Sequence, residues 1–191
     1  ETAAIVGLTA TSLQNLRNDK LTTLTTTQIA ALTTAQAAAI TADQVPLMST
    51  TQVAAISAAD VTALSNEKII ALTTAQAAAL TSTQAAALSS AQLRSMENAD
   101  LAVLGTASLA AISSDKVALL NVSQIAALST AQIAAMTSTN LGGLTTAQVV
   151  ALTAAQAGAL STAQANDLST AQLVALENAD LQAIQTSTLA S

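Results

Sequence analysis

The sequence predicts an all-α fold, a solenoid in which short capped helices follow one another, one per eight residues. Three observations carry this expectation. Every eighth residue from Leu8 to Ile184 is Leu, Ile or Met, and all three Met residues (Met48, Met96, Met136) fall in this register. Every eighth residue from Ile5 to Leu189 is Ile, Leu, Val or Ala. The residue after each large apolar one is Ser or Thr in 17 of 23 octads, and three residues later stands Gln in 13 of 24. A disordered low-complexity tract has no reason to hold phase across a whole chain, so the octad is a structural unit.

The consensus Leu-Thr-Thr-Ala-Gln-Val-Ala-Ala is numbered 1 to 8 below. Positions 2 and 5 form the capping box [ST]-x-x-[EQ]. In Thr33–Gln36, for example, the hydroxyl would accept from the Gln36 amide while the Gln36 side chain reaches back to the Thr33 N–H. Ala, Gln and Leu favour helix interiors, while Ser and Thr favour starts. Each octad therefore reads as a cap followed by about two helical turns. Positions 6 and 1, such as Val53 and Ile56, lie three apart and share a face.

Along the chain, regular octads run through Gln28, Gln36, Gln44 and Gln52, then Gln76, Gln84 and Gln92. After Gln124 and Gln132 they resume from Gln148 to Gln172. Departures are themselves periodic. Leu16-Arg17-Asn18-Asp19, Met96-Glu97-Asn98-Ala99 and Leu176-Glu177-Asn178-Ala179 recur at 80 residues, and the sequence places a cap one position late, at Asn18, Asn98 and Asn178. Asp60, Asp100, Asn140 and Asp180 replace Gln at intervals of 40; Asp19-Lys20, Glu67-Lys68 and Asp115-Lys116 recur at 48. All are multiples of eight, but they disagree on how many octads make a superhelical turn. Pro46 and the Gly142-Gly143 pair, with Gly158 nearby, read as local weakening or a kink. Asn121-Val122-Ser123 is a glycosylation sequon of the kind a Ser/Thr-rich chain produces by chance.

A single octad cannot fold alone. Its two large side chains contribute roughly 3 to 6 kcal/mol when buried, against about 8 to 16 kcal/mol of backbone entropy for eight residues. Stacking is obligatory, and abundant Ala lets neighbouring backbones approach closely. Odd and even octads look alike, which favours a superhelix of equivalent helices over a hairpin repeat. One continuous helix would let the apolar stripe drift by about 80° per octad, matching no coiled coil. A β-solenoid is the alternative, since regular Thr and Val suit it, although Val-Ala-Ala-Leu does not alternate.

Composition narrows function. The 191 residues include no His, Cys, Phe, Tyr or Trp. Without His or Cys, catalytic triads, thiol chemistry and the usual zinc sites have no donors, so an enzyme is not expected and no catalytic, cofactor-binding or metal residue is nominated. Asp60, Asp100 and Asp180 would share a face, and could then bind Ca²⁺, only if five octads closed whole turns. Carboxylates capping helix N-termini are the simpler reading. The acid–Lys pairs read as solvated surface charges. A net charge of −6 argues against nucleic acid. Mean hydropathy is +0.52, yet the longest apolar run, Ala3 to Leu8, is far short of the roughly 20 residues that span a bilayer, so no membrane insertion is expected.

"LTTAQVVAL" at residues 144–152 resembles the opening helix of the DNA-binding repeats of transcription activator-like effectors, whose unit is much longer and basic. Through Leu-Thr-Thr-Ala-Gln, the whole chain is similar to octapeptide-repeat regions of very large bacterial secreted or surface proteins. That resemblance implies an extracellular or cell-surface context. The expectation is one domain, residues 1–191, opening at Glu1 as a piece of a longer array. Its expected role is a structural spacer or stalk whose partners are neighbouring repeats or a second copy meeting it end to end. An adhesin-like binding solenoid for a peptide or glycan is the alternative, and an ice-binding array of Thr the third.

Overall fold

In a computed structural model, residues 5–176 and residue 184 are described. Between Ala10 and Ala175 the chain forms twenty α-helices of four to six residues and one 3₁₀ turn, Val45–Leu47. The architecture is the all-α solenoid the octad pattern predicts, with no strand among the described residues. The helices are shorter than the two turns expected, because position 1 leaves the helix. Ile56, for instance, has φ −61° and ψ 131°. The chain turns there without a left-handed residue, and no described residue has positive φ. Glycine is therefore not needed to end these helices, which is why a repeat with so few of them can turn so often.

Helices stack on the helix three octads away. Ala10–Gln14 packs on Thr34–Ala39, that helix on Ala58–Ala63, that on Ser82–Ala87, and Ser82–Ala87 on Thr106–Ala110. Thr26–Ala30 packs on Thr50–Ala55, and Ser90–Ser95 on Asn66–Ile70. One superhelical turn is therefore three octads, a triangular coil with three columns of helices and three stacked corners. The 48-residue period is two full turns and returns to the same corner. The 40-residue period is not a whole number of turns, so its members step from corner to corner.

Positions 1 and 6 fill the axis. Leu88, Leu93, Leu101, Leu109, Ile125 and Ile133 are essentially inaccessible to solvent. With no aromatic side chain, this core closes by near approach: Ala37, Ala77, Ala85 and Ala157 occupy position 6 with no exposed surface, as dense packing of small residues requires. An apolar cavity of about 20 Å³ remains where Val45, Val53 and Val61 stand at position 6 among Ile40, Met48 and Ile56.

Two irregular octads now have physical explanations. In residues 40–47 a 3₁₀ turn replaces the α-helix, with Pro46 inside it. Proline supplies no N–H for an i−4 bond, and a three-residue turn tolerates that loss. Gly142 and Gly143 differ from each other. A Cβ on Gly142 would meet nothing within 4 Å, whereas one on Gly143 would sit 3.0 Å from Ser114 Cβ, one turn earlier. Gly143 is thus a point of close approach between turns, not a weakening.

Candidate functional site: the glutamine corners

A helix of five residues presents an acute version of a general problem: its first N–H groups and last C=O groups have no partner within the helix. In an octad, those orphans are nearly the whole backbone. The capping box solves the amino-terminal half as the sequence predicts. Ser49 Oγ accepts from Gln52 N at 3.1 Å, and Gln52 Oε1 accepts from Ser49 N at 2.8 Å. The same reciprocal pair recurs at Thr33–Gln36, Thr81–Gln84, Ser129–Gln132, Thr145–Gln148 and Ser169–Gln172. Asn121 fills the capping role with Gln124, so the sequon asparagine is engaged in a helix start.

The other half of the amide does something the sequence did not announce. Gln84 Nε2 donates to the carbonyls of Val53 and Ile56, both at 2.8 Å and 31 and 28 residues earlier. Gln132 Nε2 donates likewise to Leu101 and Leu104, each at 2.8 Å. Gln76 reaches Val45 and Met48, and Gln92 reaches Val61 and Leu64. The acceptors are a position 1 carbonyl and a position 6 carbonyl at the close of a helix one turn below, except at Gln44, which takes the position 7 carbonyl of Gln14 with that of Leu16. One buried side chain therefore caps the start of its own helix and the end of another. It also fastens successive turns at the corner.

Other residues in the Gln slot divide this double task. Asn140 keeps both parts, accepting from Thr137 N through Oδ1 and donating to the Ile112 carbonyl at 2.7 Å. Ser108 donates to the Leu80 carbonyl at 2.9 Å. Lys68 and Lys116 extend past the corner to the carbonyls of Ala38 and Ala86, each 30 residues earlier. These two ammonium groups are half-buried, not merely solvated as expected. Burial lowers the Lys68 pKa from its ordinary value, with Glu67 acting in the opposite direction. Lys20, Lys68 and Lys116 share one corner column on alternate turns, while Lys20 itself is exposed. Nearby, Arg17 pairs with Asp19 at 3.2 Å on the exposed surface.

Asp60 and Asp100 occupy the slot without an amide donor. Asp60 accepts from the Ser57 hydroxyl at 2.7 Å. The pKa of Asp100 is raised by burial, an effect opposed by the nearby Thr74 hydroxyl and reinforced by the charge of Glu97. Since a turn is three octads, five octads do not close whole turns, so Asp60 and Asp100 lie on different corners and form no shared face. Asp180 lies outside the described residues, and no metal-binding cluster occurs among the described ones. The late caps expected at Asn18 and Asn98 are not formed. Arg17 and Glu97 remain the N-cap residues, with no side-chain cap bond, because stacking holds the octad register even where the capping residue is lost. Asn178 lies outside the described residues.

Little else resembles a binding site. The cavity on the axis is wholly apolar and has room for about one water with no polar partner, so it stays dry. Among the described residues, the hydroxyls at position 2 are consumed as caps except at Ser65 and Ser113, which leaves no free array of Thr at that position. No described helix is long and apolar enough to cross a membrane.

Against this geometry, a family model described as the ALTTAQ repeat matches residues 53–90, 93–130, 123–154 and 133–170. The matches beginning at 53, 93 and 133 are 40 residues apart, a whole number of octads. No curated protein and no solved structure matches the chain.

Proposed function

Since the chain belongs to the ALTTAQ-repeat family, a family of structural repeat modules, we propose that it serves as a non-enzymatic spacer or stalk in a large bacterial surface or secreted protein. The observation that carries this reading is the glutamine corner, which fastens each turn to the one below through the same two bonds. Interactions between nearest neighbours make length additive: each further set of three octads extends the coil and supplies its own fastening. The surface fits such a role, because positions 2 to 4 are small, exposed and nearly uniform, as at Thr73, Thr74 and Ala75. The bacterial, extracellular setting rests on the octapeptide resemblance. Because each corner bonds to the turn below, a further turn, from neighbouring repeats or a second copy meeting it end to end, continues the same pattern.

Small-angle scattering on arrays of one and two copies of residues 5–176 tests this reading. A maximum dimension that roughly doubles with copy number is expected, and a compact particle whose size grows far more slowly would refute it.

An adhesin-like binding solenoid for peptide or glycan is the second reading. Leu119 and Val122, about half exposed on either side of one corner, are the observation in its favour. Saturable binding in a glycan or peptide screen, lost in Leu119→Ser with Val122→Ser, would rank it first.

A further inference from the structure

In the inner turns, the Gln slot holds a hydrogen-bond donor wherever it is not occupied by Asp. Gln, Asn, Ser and Lys all reach a carbonyl of the turn below. At Asp100 the corresponding acceptors, by the same register of 28 and 31 residues, are the carbonyls of Leu72 and Ile69. Asp100 is 3% exposed, and an ionised carboxylate in that slot brings no hydrogen to offer those carbonyls. Asn140 shows what a side chain of this length can do in the slot, since it spans to the Ile112 carbonyl at 2.7 Å while accepting from its own N-cap. A protonated aspartic acid has the same shape, with O–H in place of N–H.

We propose that Asp100 is a proton-operated fastener: protonated, its carboxyl O–H donates to the Leu72 carbonyl and joins two turns, and on losing the proton it releases that corner. The slot at Asp60 is built differently. There a capping serine, Ser57, donates its hydroxyl to the carboxylate. At Asp100 the N-cap is Glu97, which offers no hydroxyl and adds a negative charge; the hydroxyl near its carboxyl is that of Thr74, from the turn below, and it only opposes the effect of burial.

The charged groups around Asp100 are few. Helices Thr74–Ala78 and Val122–Ala127, which pack against its own helix, carry none. Glu97 lies on its linker, and Arg94 is exposed on the preceding helix. Of the pair on the helix that ends at the corner beneath, Glu67 is exposed and Lys68 is committed to the Ala38 carbonyl. No cation is therefore placed to hold the carboxylate ionised.

The sign of the effect follows. Burial raises the Asp100 pKa above its value in the unfolded chain, so the folded state binds the proton more tightly. The stabilisation is fully present below the unfolded value of about 3.9. It is lost as pH rises from there through the raised folded pKa, and is flat above it.

Thermal unfolding of the full chain and of Asp100→Asn, at about pH 7.5 and about pH 4, tests the proposal. The variant carries a permanent donor, so its midpoint should exceed that of the parent chain by about 2–4 °C at the higher pH and match it at the lower. A variant that is no more stable at the higher pH, or whose advantage is the same at both, would overturn it. A carbon-13 NMR titration of the parent chain gives a second readout that needs no variant. The Asp100 carboxyl and the Leu72 carbonyl should shift with one common midpoint, and a Leu72 signal that ignores the Asp100 titration would equally sink the idea.

Discussion

Gln28 and Gln52 stand on the same corner column, one turn apart, and do different work. Gln28 accepts from Thr25 N at 2.9 Å and completes a capping box, yet it is only half-buried. Its bonds are those to Thr25, and among the described residues it reaches no carbonyl of another turn. Gln52 makes the same box with Ser49 and also donates to the carbonyls of Leu21 and Leu24, at 3.1 and 2.8 Å, while 2% exposed. The apolar residues follow suit. Leu8, Leu16 and Leu24 are partly exposed, while Leu88 and Leu93 are fully enclosed. Capping is thus a property of one octad, whereas burial and fastening belong to the stack.

That contrast can be broken in four ways. The largest effect should come from the core. Leu93→Ala is expected to cost about 2–5 kcal/mol in urea unfolding, because the enclosed axis cannot collapse around the gap. Leu24→Ala should cost clearly less, and equal losses would mean that the first turn is as tightly packed as the inner ones.

Next comes the slot itself. Gln52→Leu leaves Ser49 N and two buried carbonyls without their partner, a loss of about 3 kcal/mol. Gln28→Leu should cost no more than about 1 kcal/mol, since water can replace what is lost. Hydrogen exchange at Leu24 and Ser49 would show whether the opening is confined to that corner.

Removing the hydroxyl instead tests the local half. Ser49→Ala and Thr25→Ala should each cost about 1 kcal/mol. A much larger loss at Ser49 would show that the cap and the fastening are coupled through Gln52 and not separable.

The smallest effect should be at Lys68. Its folded pKa is lowered by burial, so the unfolded chain holds that proton more tightly. The resulting cost is present at neutral pH and fades as pH rises from the lowered value toward 10.5. Because the ammonium is only half-buried, the gain relative to Lys68→Met should stay under about 1 kcal/mol. Unfolding midpoints that diverge the other way with rising pH would contradict it.

Much of this molecule could be read in its letters, and the failures are informative. The helix starts at Thr33, Ser49, Thr81 and Ser129 lie where the capping motif puts them. The large apolar residues at positions 1 and 6 form the core as their spacing requires. Asn98 is the better capping side chain within its own octad, but the neighbouring turns fix the register and make Glu97 the N-cap. Lys116, beside Asp115, reads from the sequence as part of a solvated charge pair, yet its partner, the Ala86 carbonyl, is 30 residues away.

The sequence by itself determined where each helix begins and which two side chains it buries. Those features rest on interactions between residues three or four apart, and each leaves a residue type at a fixed offset. Only the tertiary structure decided that three octads make a turn, that the glutamine amide also closes the helix below, and that the Asp100 carboxyl is buried beside the Thr74 hydroxyl of another turn. The partners in those contacts are backbone oxygens about thirty residues distant. Every residue carries one, so no side-chain pattern marks which of them a glutamine will meet.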